Sequence, residues 1–336
     1  MITAIAPGKL ILSGEHAVVH GQPALAMAIN RYSKTTILPC ADGQVIFCAH
    51  NLRFQGAFTW QALKQLKYRL QRNYELFLQG RLAIREVLKK PIELTQVAIT
   101  HLLETLQSQK YTGVKIQTQS TIPMGCGMGS SAATILSVLY AFGHFLKLDW
   151  DKQHYFHQAL AIENLQHGYS SGLDLAVSQQ GGLVWYLDGR YEQRLLPNVK
   201  WYLVNTGKPL STTGECVAHT SKILRNSPRL LQEFGDITLQ LDQAVQQSHF
   251  AEMCQAVQAN HRLLCTLGVV PEKIQRFIHA LEQQQAAAKI CGAGSLIGHN
   301  AGIVLILSTV NPTPICEKFS YSCMQIYGEK HGLRIA

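Results

Sequence analysis

An α+β fold in two halves is what this sequence predicts, and three observations predict it. The chain has 336 residues, of which 47% are hydrophobic and 15% charged, enough to bury a sizeable core and too apolar for a disordered chain. Short apolar runs of strand length and longer segments with helical spacing occur in both halves. The texture changes after Asp174, where Gly181-Gly182 introduces a new strand-like run. The division is therefore placed at 182/183, giving domains 1–182 and 183–336.

The elements follow in order. Ile2 to Ala6 reads as a strand, Pro7-Gly8 as a turn, and Leu10 to Leu12 as a resumed strand. Ala17 to Val19 and Ala24 to Ile29 are further apolar pieces around Gly21-Gln22-Pro23. Residues 61–107 read as helical, with Leu63, Leu66 and Leu70 at helical spacing and Pro91 as a break. Over 110–119, Val114, Ile116 and Thr118 share one face of a strand that feeds a glycine-dense loop. A helix carrying Ile135, Leu136, Leu139, Tyr140 and Phe142 follows, then a second over 152–166. The second half begins with a strand at Leu183 to Leu187 and a turn at Asp188-Gly189, with another strand at Trp201 to Val204. Residues 221–267 and 271–288 read as mostly helical, and Ala301 to Leu307 as a buried strand.

Composition excludes several classes. The longest apolar segment, 132–146, is short for a membrane span and contains Ser137, Gly143 and His144, so it reads as a core helix and no membrane partner is expected. The opening has neither a basic region nor a long apolar run, so no signal peptide is expected. Nine cysteines without a CxxC pair point to free thiols in a reducing, cytoplasmic setting. The net charge is +9, and residues 61–90 hold eight bases against Glu75 and Glu86, which is six of the nine excess charges. That segment is a solvated basic face or a lead-in for an anionic nucleotide or phosphorylated substrate. Nucleic acid is not an expected partner, because no recognition motif or interleaved aromatic pattern accompanies the bases.

The most telling stretch is Pro123 to Ala133, Pro-Met-Gly-Cys-Gly-Met-Gly-Ser-Ser-Ala-Ala. Its glycines let the backbone turn tightly and approach a ligand, and the helix behind it offers free N–H groups and a positive dipole end. That predicts a phosphate cradle formed by Gly125, Cys126, Gly127, Met128, Gly129, Ser130 and Ser131. No Gly-Lys-Ser/Thr follows, so it is not a Walker A loop. Three further segments carry candidate chemistry. Lys9 follows a Pro-Gly turn, with Glu15-His16 set oddly inside an apolar run, where a structural pair is the plain alternative. Glu163 and Asp174 flank a glycine-rich turn, one suited to Mg²⁺ and the other to a proton, or else to a helix surface and a cap. The glycines of Lys289-Ile290-Cys291-Gly292-Ala293-Gly294-Ser295 approach a ligand or make a turn.

Together these motifs resemble the GHMP small-molecule kinases: Pro7-Gly8-Lys9, the Pro123 to Ala133 loop, and Lys289-x2-Gly292-Ala293-Gly294. Ala6 to Gly21, the block Glu163-x3-His167-Gly168-x2-Ser171-Gly172-x-Asp174, the segment Asn205 to Thr212 and Asn260-His261-Arg262-Leu263-Leu264 resemble the branch that takes mevalonate as acceptor. Met128 stands where leucine is usual, a nearly volume-conserving change. Cys291 stands where the family has threonine, and Ser295-Leu296-Ile297 follows where it has more glycines.

The resemblance implies a two-domain GHMP kinase fold, with an N-terminal domain like ribosomal protein S5 and a ferredoxin-like C-terminal domain. It implies transfer of the γ-phosphoryl of ATP to the 5-hydroxyl of mevalonate with Mg²⁺. Asp174 would accept or orient the hydroxyl proton, Lys9 would pair with it, and Ser131 and Glu163 would hold the metal. Ser120 would touch the nucleotide, while Glu15, His16, Thr206 and Thr212 would touch the acceptor. Oligomeric state is left open, a homodimer included. The rivals are another GHMP kinase, such as one acting on phosphomevalonate, and a non-catalytic nucleotide sensor of the same fold.

Overall fold

The structure, a computed structural model, describes residues 1–103 and 113–336. The parts of the expected helix and strand that fall on 104–112 lie outside the described residues. Strands β1 (Ile2–Ser13), β2 (Ala24–Cys40), β3 (Val45–Ala49) and β4 (Phe54–Phe58) open the chain, followed by helices α1 (Trp60–Leu78) and α2 (Ile92–Leu103) and strand β5 (Gly113–Ser120). Next come α3 (Ser130–Phe145), α4 (Lys152–His167), α5 (Leu173–Gln180), the hairpin β6 (Leu183–Leu187) and β7 (Arg190–Arg194), and β8 (Trp201–Asn205). Helices α6 (Thr213–Arg225), α7 (Pro228–Gln246), α8 (Phe250–Thr266) and α9 (Glu272–Glu282) precede β9 (Ala287–Cys291) and β10 (Ile303–Leu307). A short α10 (Thr313–Lys318), β11 (Cys323–Ile326) and β12 (Arg334–Ile335) complete it.

Two sheets organise these elements. The first runs β12-β1-β2-β5-β3-β4, with β6 also on β2 and β7 on β6; β3 and β5 are parallel and the other pairs antiparallel. The second is antiparallel in the order β11-β8-β10-β9. A mixed sheet and an antiparallel sheet, each with helices packed on it, are the α+β fold the sequence predicts. The hairpin 183–194, expected on the far side of a division at 182/183, pairs with the first sheet, because Leu183 to Tyr186 align with Met27 to Ala24. The last strand also returns to that sheet, beside Ala4 and Ile5.

Pro7-Gly8 is not a turn between two strands. It is a register shift inside one continuous β1, after which Gly8 faces Ile29. Proline has no N–H to give to a ladder, so a bulge accommodates it. Beyond the shift Lys9 stays opposite Ala28 of β2 and donates its N–H to the Met128 carbonyl at 3.0 Å. The first motif is thereby stitched to the glycine loop.

Helix α3 is apolar around nearly its whole circumference and is a core element; residues such as Ile135, Leu136, Val138 and Leu139 are fully buried. Among the described residues no helix is long and apolar enough to cross a membrane. Residues 61–103 do not form one helix: α1 ends at Leu78, and α2 starts just after Pro91. The α1 bases Lys64, Arg69 and Arg72 are exposed, whereas Lys67 lies on the buried face with Leu63 and Leu70.

Candidate active site

A cleft of about 850 Å³ lies where the two sheets' loops meet, within the usual range for a small-molecule site. The glycine loop forms its floor. Gly125, Gly127 and Gly129 have φ of 70°, 81° and 69°, in the region that favours glycine, and Gly129 is the residue from which α3 starts. A Cβ on Gly129 would sit 2.8 Å from Lys9 Cγ, so this glycine also makes room for the lysine. The loop carries no charge of its own and presents Gly125, Gly127, Met128, Gly129, Ser130 and Ser131 to the cleft. Cys126 does not line the cleft. It is buried behind the loop, its thiol directed at the Met124 carbonyl at 3.5 Å.

Lys9 and Asp174 meet, Nζ to Oδ1 at 2.9 Å, with Lys9 buried and Asp174 open to the cleft. Asp174 lies in the first turn of α5, where the helix dipole favours a carboxylate. One turn on, Ser178 Oγ donates to the Pro7 carbonyl at 2.6 Å and fixes α5 against the strand that carries Lys9. Glu163, near the end of α4, is buried and accepts from Ser170 Oγ at 2.9 Å. Burial, with the Asp174 charge adding to it, pushes the Glu163 carboxyl up to about 8. Ser131 Oγ lies 3.3 Å from His167 Nε2, and burial holds that imidazole below its usual value, so it is neutral at pH 7. Ser120 also lines the cleft; its backbone is clamped by Asn51, whose side chain both accepts from Ser120 N and donates to Ser120 O, each at 2.6 Å.

The four residues expected to contact the acceptor divide. Glu15 and His16 line the cleft. Glu15 forms a buried ion pair with Lys289, whose Nζ also donates to the Ile11 carbonyl at 3.2 Å. Glu15 Oε2 is buried with no hydrogen-bond partner among the described residues. Both ring nitrogens of His16 are engaged, Nε2 with the Ala293 carbonyl at 3.2 Å and Nδ1 with Thr220 Oγ1 at 3.0 Å. Thr206 and Thr212 are not brought to the cleft. Thr206 Oγ1 donates to the Gly302 carbonyl at 2.9 Å and accepts from Ala301 N at 3.0 Å, and so locks a loop. Thr212 caps α6 in a capping box with Glu215. Its neighbour Thr213, with Val217 one turn on, faces the cleft instead.

The third motif lines the cleft with Gly292 and Ala293 and also braces the glycine loop. A Cβ on Gly127 would lie 2.5 Å from the Cys291 carbonyl, and one on Gly292 would lie 2.9 Å from Gly127 Cα, so the two loops touch backbone to backbone. Cys291 donates to the Ile11 carbonyl at 3.4 Å, and burial pushes its thiol up to about 11, which makes it an inert packing group.

Burial holds both His16 and His261 down at about 4. The unfolded chain binds these protons near pH 6.5 and the folded chain does not. Stability is therefore full above pH 6.5 and falls as pH drops from 6.5 toward 4, by up to about 3 kcal/mol for each histidine. Urea midpoints measured between pH 7 and 4.5 are expected to fall steeply, and less steeply in His261→Asn. Equal slopes in the two proteins would remove His261 from this account.

A glycine loop at a helix N-terminus, facing a lysine-paired acid, is the arrangement that similarity to known proteins places among the small-molecule kinases of the GHMP class. Residues 93–182 match the model for the GHMP kinases N terminal domain. A mevalonate kinase of Pyrococcus horikoshii is 31% identical over 306 residues, covering 87% of this chain and 86% of that one. Another from Pyrococcus abyssi is 29% identical over 355 aligned positions, covering all of this chain and 98% of that one. The chain belongs to the mevalonate kinase family. The crystal structure of the Methanococcus jannaschii mevalonate kinase has the same fold, with a TM-score of 0.79 at 24% identity over 97% of this chain and 98% of that one.

Proposed function

We propose that this protein transfers the γ-phosphoryl group of ATP to the 5-hydroxyl of mevalonate, giving 5-phosphomevalonate and ADP in a cytoplasmic isoprenoid route. The observation that carries the reading is the Lys9–Asp174 pair at 2.9 Å in the cleft that the glycine loop lines. The triphosphate lies along the N–H groups that open α3, with the nucleoside toward Asn51 and Ser120. Asp174 receives the hydrogen bond of the attacking hydroxyl and takes its proton as the new P–O bond forms and the bond to the β-phosphate oxygen breaks. Lys9 holds that carboxylate in place and draws charge off the hydroxyl oxygen. Phosphoryl transfer depends mainly on such alignment and charge neutralisation.

The residues present suit Mg²⁺. Burial and the neighbouring Asp174 charge raise the proton affinity of Glu163, with Lys9 as the near cation, so the site has room for further positive charge. Among the described residues no group of three or more His, Cys, Asp or Glu side chains is placed to hold a metal. That agrees with an ion that takes one or two protein ligands and completes its shell with phosphate oxygens and water. Ser131 and Glu163 would hold it. A bound Mg²⁺ would neutralise charge on the transferring phosphate. The Ser131–His167 contact suits that role: a neutral His167 that accepts the hydroxyl proton leaves the Ser131 lone pairs directed into the cleft.

The test is ADP release with mevalonate, phosphomevalonate and homoserine offered separately. ADP formation confined to mevalonate is the expected outcome. Turnover with phosphomevalonate alone would move the protein to a sister activity, and nucleotide binding without ADP from any acceptor would make it a sensor.

A further inference from the structure

The glycine loop carries no cation, and Lys9 is committed to Asp174. The partial charge at a helix N-terminus is about half a unit. A triphosphate carries several negative charges, so even with the Mg²⁺ proposed above the cradle as described leaves negative charge unmatched. Arg85, Lys89 and Lys90 line the cleft from the segment between α1 and α2. From the second half of the chain, Lys208 also reaches the cleft.

Lys208 is held where it stands by its backbone. Thr206 N donates to the Gly302 carbonyl at 2.8 Å, and Gly302 N donates to the Gly207 carbonyl at 3.1 Å. Gly302 in turn sits against the phosphate loop: a Cβ there would lie 3.2 Å from the Cys126 carbonyl. The residue before Lys208 is thus fixed one backbone layer from Cys126. Its side chain is exposed, lines the cleft, and makes no ion pair among the described residues. Burial pushes the Cys126 thiol up, and the Lys208 charge pulls against it, as expected for an ammonium close to the loop.

We propose that Lys208 is a nucleotide-binding residue that closes over the glycine loop from the second sheet's side and pairs with the terminal phosphates of ATP. It supplies the cation that a Walker lysine gives other phosphate loops, but from a segment some eighty residues further along the chain. This rests on the loop being the nucleotide cradle, as proposed above. It also gives the Asn205 to Lys208 segment a purpose that Thr206, turned into its own loop, does not provide.

The test is direct binding. Kd values for ATP, ADP and AMP are measured by calorimetry with Mg²⁺ on wild type, Lys208→Met and Lys208→Arg, with thermal melts alongside. Lys208→Met is expected to weaken ATP about tenfold or more, ADP less, and AMP not at all, with an unchanged melt. Lys208→Arg is expected to keep most of the affinity. Unchanged ATP binding in Lys208→Met would overturn the proposal. So would an equal loss for AMP, which signals a distorted cleft, or a defect confined to the KM of mevalonate, which would assign the ammonium to the acceptor carboxylate. A wild-type protein that binds ATP yet phosphorylates no mevalonate would refute the reaction proposed above and leave the Lys208 measurement valid.

Discussion

Asp174→Asn is expected to lower kcat about a thousandfold while ATP still binds. The side chain keeps its size and its place at the start of α5, and Ser178 still anchors the helix to Pro7. What goes is the acceptor of the hydroxyl proton and the negative partner of a buried lysine. Calorimetric Kd values for ATP separate binding from chemistry, and single-turnover rates with mevalonate give the chemical step. The glycine loop and the α3 N–H groups are untouched, so the nucleotide Kd should barely move. A variant that turns over within tenfold of wild type would remove Asp174 from the proton path and leave Lys9 as the group that polarises the hydroxyl.

Contiguous features of this site were legible in the sequence. Each of the three glycine segments is a local conformational demand, and glycines at φ near 70–80° are where the loop needs them. The α+β class and the core character of α3 follow from apolar patterning in the same way. What the sequence did not reveal depends on direction or distance. A threonine hydroxyl serves equally as a ligand contact, a cap or a loop lock, and Thr206 and Thr212 turned out to be the last two. Asn51 grips the Ser120 backbone from 69 residues away, and nothing local marks it. The 183–194 hairpin joins the first sheet because its apolar face aligns with Ala24 to Met27, a choice between two sheets that a strand's own residues do not state. The sequence of the third motif suits a ligand approach or a turn equally. Its glycines are needed because other backbone lies against them, that of Gly127 at Gly292 and the Val269 carbonyl at Gly294.

Lys289→Met is expected to destabilise the fold by about 3–5 kcal/mol, the range for breaking one side of a buried ion pair. Lys289 is 0% exposed and Glu15 2%, so neither charge has water to turn to. Burial already pushes the Glu15 carboxyl up against the pull of Lys289, and without the lysine the main opposition to that push is gone. The pair also ties β9 to the end of β1, through the Ile11 carbonyl, just before the loop that braces Gly127. Loss of the tie should therefore loosen the phosphate cradle as well as the core. Urea denaturation of Lys289→Met, Glu15→Gln and the double variant separates the two effects. Glu15→Gln in the Lys289→Met background removes the stranded charge and should recover most of the lost stability. It should not recover ATP affinity, because the glutamine and the methionine no longer draw the two strands together. A single-variant loss below about 1 kcal/mol would mean that the pair behaves like a solvated surface contact. The brace on the glycine loop would then have to come from the Cys291 and His16 contacts alone.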